Sequence, residues 1–146
     1  MMKLYLDNSF LNRPFDNLEV NTNKLEAEIL FFIIKLAKRK RIILVNSAII
    51  EYENFLNPHP ERKLFINEVL KLAKVYQNLT EKIKKQAEEL QSKMNISPID
   101  SLHLAVAEKA SVDFFITCDY NLIKRYKGKI KIINPLKFLE DYENTN

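Results

Sequence analysis

Glycine is almost absent from this sequence of 146 residues, in which Gly128 is the single example. A phosphate-cradling loop or a dinucleotide-binding turn requires several glycines, so nucleotide-dependent chemistry of those two kinds is excluded. Cysteine is equally scarce, because Cys118 stands alone and can form neither an intramolecular disulfide nor a thiolate zinc cluster. We expect Cys118 to be a small buried side chain rather than a nucleophile.

Long apolar runs are also missing. The longest is ILFFIIKLA at residues 29–37, which Lys35 interrupts. This run is far shorter than the span of about 20 residues that a membrane helix needs. The N-terminal stretch MMKLYLDNS lacks the apolar centre and the small-residue cleavage site of a signal peptide. Together these features predict a cytoplasmic protein that does not enter a membrane.

Short apolar segments alternate with helical patterns along the chain. The predicted strands are residues 3–7, 42–46, 112–119 and 129–134. Strands that alternate with helices form a parallel sheet covered by helices on both faces. We therefore expect one α/β domain over residues 1–146, a three-layer α/β/α sandwich whose mainly parallel sheet has about four strands. Two consecutive helices form an excursion from this core, the first over residues 61–76 and the second, capped by Thr80, over residues 81–94. Residues 8–23 are polar and expected to be irregular.

Two of the predicted strands end on a carboxylate. Asp7 closes the first strand, and Asp119 closes the third, in the stretch FFITCD. Aspartate is common in turns, so either residue alone is better explained as a turn former. In a parallel sheet, however, both would lie at the carboxyl edge, where ligand crevices form. The pair therefore favours a functional site more than either residue does.

Two helices add further acids. Asp100 lies in SPID, where Ser97 is a candidate helix cap, and an acid in the first turn also suits the helix dipole. The same position allows its short side chain to project toward the strand edge. Glu51 and Glu53 are two residues apart on another helix, so at most one of them can face a given site. The apolar periodicity favours Glu53 and leaves Glu51 open.

The order of these features resembles a PIN domain. The motifs that carry the resemblance are LDNS at residues 6–9, a helix capped by Ser47 with Glu53 six residues later, DSLHLAVA at residues 100–107 and ITCD at residues 116–119. The PIN family includes the VapC-like ribonuclease toxins of bacterial and archaeal toxin–antitoxin pairs. The resemblance covers nearly the whole chain, and it implies a metal-dependent nuclease.

The resemblance also implies which residues form the site. The positions that match the family's acidic quartet are Asp7, Glu53, Asp100 and Asp119. Ser9 and Thr117 match small hydroxyl residues that often accompany the quartet. Many members carry a further acid where this chain has Asn121, and that replacement removes a charge. The number of metal ions, one or two, therefore stays open.

Clustered carboxylates suit a hard cation. Like charges within a few ångströms repel one another by several kcal/mol, so such a cluster takes up protons or binds a cation. All-oxygen ligands such as Asp7, Asp100 and Asp119 favour Mg²⁺ or Mn²⁺, and zinc is disfavoured because Cys and His ligands are absent. The expected reaction is hydrolysis of an RNA phosphodiester by metal-activated water, which leaves a 5′-phosphate and a 3′-hydroxyl by analogy with the family.

The charge balance is compatible with an RNA substrate. The chain has 23 Lys and Arg against 19 Asp and Glu, so 15 acids remain once the quartet is set aside. The candidate phosphate contacts are Arg13, Lys38–Arg41, Lys124 and Arg125. Any one of them alone is more commonly a solvated surface charge. His103 follows Asp100 by one turn and is either a substrate contact or a buried histidine with satisfied hydrogen bonds.

Two other classes of function compete with the nuclease. A phosphotransfer protein could use Asp7 as an aspartyl nucleophile, but Ser9 stands where a dehalogenase-like pattern needs a second acid. The stronger alternative is a PIN fold that binds RNA or protein with weak or no hydrolysis, against which the intact quartet argues. The family resemblance also implies a cognate antitoxin and a homodimer, and the apolar helix at residues 29–37 is compatible with the dimer.

Overall fold

The computed structural model describes residues 1–145. Five strands form one parallel sheet in the order β3-β2-β1-β4-β5. The strands are β1 (Lys3–Leu6), β2 (Ile43–Ser47), β3 (Val75–Gln77), β4 (Phe114–Ile116) and β5 (Lys131–Ile133). The predicted α/β class and parallel sheet are confirmed, but the sheet has five strands rather than four.

Helices surround this sheet. They are α1 (Asn8–Leu11), α2 (Asn21–Lys38), α3 (Ala48–Phe55), α4 (Pro60–Leu70), α5 (Glu81–Met94), α6 (Pro98–Lys109), α7 (Tyr120–Arg125) and α8 (Pro135–Thr145), with a 3₁₀ turn at Arg13–Phe15. From the central strand β1, the chain adds β2 and then β3 on one side of the sheet. It then crosses back over the sheet and adds β4 and β5 on the other side of β1. Right-handed crossovers therefore place helices on both faces.

Helix starts follow the predicted caps. The side chains of Ser47, Thr80 and Ser97 each accept a hydrogen bond from the backbone N–H three residues later. Each such cap stabilises its helix by about 1 kcal/mol. The caps matter for function because α3 and α6, which carry Glu53 and Asp100, begin at fixed positions directly above the sheet edge.

The predicted helix over residues 61–76 is wrong in its second half. Helix α4 ends at Leu70, and the chain then forms β3, which pairs with β2 through Val45 and Val75. The excursion over residues 61–94 therefore contributes an edge strand between α4 and α5. Helix formers at residues 71–74 extend the helical pattern in the sequence, so the boundary carries no sequence signal.

The core lies on both faces of the central strand β1. Leu4, Tyr5 and Leu6 are buried there, and Phe115 of β4 stacks on the Tyr5 ring with 5.0 Å between centroids. Each fully buried large apolar side chain contributes about 2 kcal/mol. In α2, Leu30 is buried in the core, whereas the adjacent Phe31 is 50% exposed. Within residues 1–145, no helix is both long enough and apolar enough to traverse a bilayer.

Candidate active site

Asp7 lies directly after β1 and caps the short helix α1. Its Oδ1 accepts hydrogen bonds from the Ser9 hydroxyl at 2.7 Å and the Phe10 backbone N–H at 3.1 Å. Its Oδ2 accepts from the Thr117 hydroxyl at 2.5 Å. Burial raises the pKa of Asp7 from 3.8 to about 6, even though these three donors favour the ionised form. The carboxylate is thus both held in place and short of positive charge.

Two hydroxyl residues join the ends of β1 and β4. Leu6 pairs with Ile116 in the sheet, so the chain emerges from both strands side by side. The Ser9 hydroxyl accepts from the Cys118 N–H at 3.1 Å, and the Thr117 hydroxyl accepts from the Asp119 N–H at 3.0 Å. The structure therefore places Ser9 and Thr117 where they orient Asp7 and fix the loop that leads to Asp119.

Asp119 begins helix α7. Its Oδ1 accepts hydrogen bonds from the backbone N–H groups of Asn121 and Leu122 at 3.0 and 3.2 Å. The side chain of Asn121 is exposed beside it. Cys118 is buried as predicted, and burial raises the pKa of its thiol, which disfavours a role as nucleophile.

Asp100 approaches the same strand edge from the first turn of α6. Burial raises the pKa of Asp100, and the nearby charges of Asp119 and Glu53 raise it further, whereas the Ser97 hydroxyl and His103 lower it. Asp100 and Asp119 line one concavity together with Arg125. Ser97 accepts from the Asp100 backbone N–H at 3.4 Å, so the residue is part of a helix start and faces the sheet edge as well.

The structure resolves the choice between the two glutamates of α3. Glu53 is 24% exposed, and its Oε1 is hydrogen-bonded to Nε2 of His103. Glu51 is exposed and accepts a hydrogen bond from the Asn46 side chain at 2.8 Å. Glu53 borders the groove that reaches Ser9, whereas Glu51 lines a separate groove with Asn46. Glu53 is therefore the glutamate of α3 on the side of the other site acids.

His103 is not placed to contact a substrate. Its side chain is 1% exposed, with Nε2 bonded to Glu53 and Nδ1 at 2.6 Å from the hydroxyl of Tyr5. The Tyr5 hydroxyl lies in turn 2.8 Å from the Ser47 hydroxyl. No motif in the sequence marks Tyr5 for this role, although strand alternation puts Tyr5 on the same face as Asp7.

The basic residues that are candidate phosphate contacts differ in whether acidic side chains already pair with them. Arg13 is used internally, because its guanidinium pairs with Asp16 and with the buried Glu26, each at 3.0 Å. Arg13 also borders a groove of about 420 Å³ that reaches Ser9 and Glu53. The exposed Lys124 and Arg125 lie on α7, which starts at Asp119, with Arg125 donating to the Asn95 carbonyl at 3.2 Å.

The basic run Lys38–Arg41 lies far from the acids. It starts at Lys38, the last residue of α2, and precedes β2, which starts at Ile43, so it sits at the amino end of the strands. Asp7 and Asp119 lie at the carboxyl end. The position of this run therefore does not support a contact with the phosphates of an RNA bound at the acidic residues.

The acids share one edge without forming a closed ligand set. In the part of the chain that the structure describes, no three His, Cys, Asp or Glu side chains are grouped so that they could hold a metal ion. The donors nevertheless have the chemistry that a hard cation prefers, because Asp7, Asp100 and Asp119 supply only carboxylate oxygens. The raised pKa values of Asp7 and Asp100 show that burial disfavours their negative charges, which a cation would offset.

Solved structures with this fold are found at low sequence identity. VapBC2 from Rickettsia felis, bound to a DNA fragment from its promoter, aligns with a TM-score of 0.59 and 15% identity, covering 91% of this chain and 98% of that one. PAE2754 from Pyrobaculum aerophilum aligns with a TM-score of 0.59 and 14% identity, covering 98% and 96%. At such identities these likenesses show the fold alone.

A third neighbour has a stated activity of its own. VapC20 from Mycobacterium tuberculosis, described as a Sarcin-Ricin loop cleaving toxin, aligns with a TM-score of 0.52 and 17% identity, covering 80% of this chain and 89% of that one. No curated protein matches the sequence significantly. The model of the PIN domain family matches residues 4–129, a range that contains all four acids. The chain therefore belongs to the PIN domain family.

Proposed function

We propose that this chain is a single-domain endoribonuclease that hydrolyses RNA phosphodiester bonds with the help of Mg²⁺ or Mn²⁺. The observation that carries the proposal is the arrangement at the carboxyl edge of β1 and β4. There Asp7 is held by three hydrogen-bond donors, and Asp100 and Asp119 line one concavity. Glu53 is hydrogen-bonded to His103, one turn after Asp100 on α6. Such a concentration of carboxylates serves a divalent cation better than it serves the fold.

The residues that would hold the cation are Asp7, Asp100 and Asp119. When bound, a divalent cation supplies a positive charge for the phosphate oxygens and lowers the pKa of water so that it can attack. The cation would also offset the negative charges that burial disfavours at this edge. Asn121 stands beside Asp119 as a neutral residue, which supports one tightly held cation more than two.

The remaining side chains act around these three. Ser9 and Thr117 hold the Asp7 carboxylate in one orientation through their hydroxyl protons. Glu53 would accept a proton from the attacking water through the carboxylate oxygen that His103 does not hold. Lys124 and Arg125 on α7 would contact RNA phosphates next to Asp119, whereas the charge of Arg13 is used by Asp16 and Glu26.

We further propose that the protein is the toxin of a toxin–antitoxin pair. The support is the PIN family membership together with neighbours that are described as VapBC and FitAB complexes. A cognate antitoxin would then be its protein partner, and a homodimer is the expected assembly.

The test is cleavage of total RNA in the presence of Mn²⁺, with the cut positions mapped. We expect cleavage that a chelator abolishes, with 5′-phosphate ends. Asp100→Asn should lower the rate at least about 100-fold, because a loss of about 3 kcal/mol of transition-state stabilisation has that effect. Glu51→Gln is the matched control, because Glu51 is an exposed carboxylate on α3 that lies outside the site. This variant should keep full activity.

Two outcomes would count against the enzyme. Cleavage that persists in Asp100→Asn or in chelator would point to a contaminating nuclease or to another mechanism. Tight RNA binding without cleavage in any divalent cation would support the alternative, a PIN fold that binds RNA without hydrolysing it.

A further inference from the structure

A buried chain of hydrogen bonds connects three elements behind the acidic residues. It runs from Ser47, the cap of α3, to Tyr5 on β1 at 2.8 Å, and from Tyr5 to Nδ1 of His103 on α6 at 2.6 Å. It ends where Nε2 of His103 meets Oε1 of Glu53. Ser47, Tyr5 and His103 are each at most 1% exposed, so water does not compete for these bonds.

Each element in this chain also carries one of the site acids. β1 leads into Asp7 two residues after Tyr5, α6 carries Asp100 one turn before His103, and α3 carries Glu53. The hydrogen-bond chain therefore ties together the three backbones on which these acids depend. Its only end near solvent is the Glu53 carboxylate, which is 24% exposed.

The direction of the chain follows from donor and acceptor roles. The Ser47 hydroxyl accepts from the Ile50 backbone N–H at 3.1 Å, and it can give its own proton to the Tyr5 oxygen. The Tyr5 hydroxyl then donates to Nδ1 of His103, which leaves the imidazole proton on Nε2, where it is donated to Glu53. This direction satisfies every donor and acceptor in the chain with a neutral imidazole.

We propose that His103 is a positioning residue that fixes the Glu53 carboxylate at the cleavage site, and that Tyr5 in turn fixes the His103 ring. The inference rests on the proposed ribonuclease function and adds to it. A glutamate side chain has three rotatable bonds, and the bond to His103 restricts it to one orientation. The groove that borders Glu53 and Ser9 would otherwise allow the carboxylate to turn away from Asp100.

Two substitutions separate the two nitrogens of His103. In His103→Gln the amide nitrogen reaches the position of Nε2 and can still donate to Glu53. In His103→Asn the shorter amide reaches only the position of Nδ1, so it keeps the hydrogen bond with Tyr5 and loses the one with Glu53. We expect His103→Asn to lower kcat about 10- to 100-fold with KM for RNA unchanged, as loss of an orienting partner does. His103→Gln should restore most of kcat, and Tyr5→Phe should lie between the two.

A double-mutant cycle with Glu53→Ala separates positioning from a general effect on folding. If His103 acts through Glu53, His103→Asn should change kcat by less than about twofold when Glu53 is already alanine. Equal losses of kcat in both backgrounds would overturn the inference. So would equal kcat values for the Gln and Asn variants of His103, because only the Gln variant keeps a donor for Glu53.

The same cycle is measured by urea unfolding without a divalent cation, which needs no activity. The shift that His103→Asn causes in the unfolding equilibrium should shrink in the Glu53→Ala background. If the wild type fails to cleave RNA, the proposed function is wrong. The unfolding cycle then tests the contact between His103 and Glu53 on its own. Coupling between the two substitutions supports the positioning of Glu53 by His103, and additive shifts overturn it. If the wild type cleaves and Asp100→Asn does not, while His103→Asn keeps full kcat, only the positioning is wrong.

Discussion

At the scale of the residue, Asp7 shows a conflict between stability and function. Three donors hold its carboxylate, yet burial outweighs them and raises its pKa to about 6. A side chain chosen for stability alone at this position would be neutral. Sites that break a packing rule in this way are where function is expected. The conflict is measurable, because it makes stability depend on pH.

We predict that Asp7→Asn stabilises the cation-free protein above pH 6. The pKa of Asp7 rises from 3.8 when unfolded to about 6 when folded, so the folded state binds more protons between these values. Stability therefore falls as pH rises through that window and is level above it. Asparagine does not ionise, and it should gain at most about 3 kcal/mol at pH 7.5 and nothing at pH 4.

Urea unfolding in chelator at pH 4, 5, 6 and 7.5 measures this difference. Glu88→Gln, at an exposed position on α5, is the control and should change the unfolding free energy by less than about 0.5 kcal/mol at each pH. A variant Asp7→Asn that is less stable than the wild type at pH 7.5 would show that the three donors outweigh burial.

The sequence predicts some of these residues better than others. Asp7 and Asp119 follow from strand ends, because alternation and apolar runs mark where a strand stops. Glu53 was left beside Glu51 as an alternative, since helical periodicity gives a face but not the partner on that face. Tyr5 had no signal of its own as an orienting group, because a tyrosine in an apolar strand is most often simply core.

At the scale of the element, the predictions succeeded where the segments are long and capped. The caps at Ser47, Thr80 and Ser97 were all identified from their sequence context. The strand β3 was missed because it has three residues and follows helix formers, so its pairing with β2 decides its structure rather than its own propensity. The helix α1 was missed within a segment expected to be irregular, because four residues are too few for a periodic pattern.

One ion pair joins two elements beside the site. Arg13 in the 3₁₀ turn contacts Glu26 of α2, which is 1% exposed. We predict that Arg13→Leu lowers the unfolding free energy by about 3 kcal/mol, because it leaves the Glu26 carboxylate buried without its partner. Asp16 contributes little to this loss, since Arg62 still pairs with it at 3.4 Å. Thermal and urea unfolding measure the change.

Two further variants identify the cause. The double variant Arg13→Leu with Glu26→Leu should recover most of the lost stability, because no buried charge remains. Lys84→Ala removes an exposed ion pair with Glu81 and should cost less than about 0.5 kcal/mol. If the double variant is as unstable as Arg13→Leu alone, the guanidinium packing matters rather than the charge of Glu26.

At the scale of the whole molecule, charge is arranged along the direction of the strands. The net charge is +4, yet the carboxyl edge of the sheet holds the acidic quartet. Exposed Lys-Arg pairs lie at both ends: Lys124 and Arg125 on α7 beside Asp119, and Lys38–Arg41, which comprises two such pairs, before β2 at the amino edge. Of these basic residues, an RNA strand that passes the acids would meet only Lys124 and Arg125.

This arrangement predicts different salt dependences of RNA binding for two matched double variants. Each is made in the Asp100→Asn background, so that RNA is not cut, and affinity for a single-stranded RNA is measured from 50 to 300 mM salt, a range of about sixfold. Lys124→Ala with Arg125→Ala should weaken binding and reduce the slope of log affinity against log salt by about 1.4, since each phosphate contact on a single strand contributes about 0.7. Lys38→Ala with Arg39→Ala removes the same two residue types and the same charge, and should leave the slope unchanged.

Because total charge falls equally in both variants, a difference between their slopes can come only from the position of the removed charges. Equal slopes would mean that RNA senses the overall charge of the molecule and is not aligned along α7.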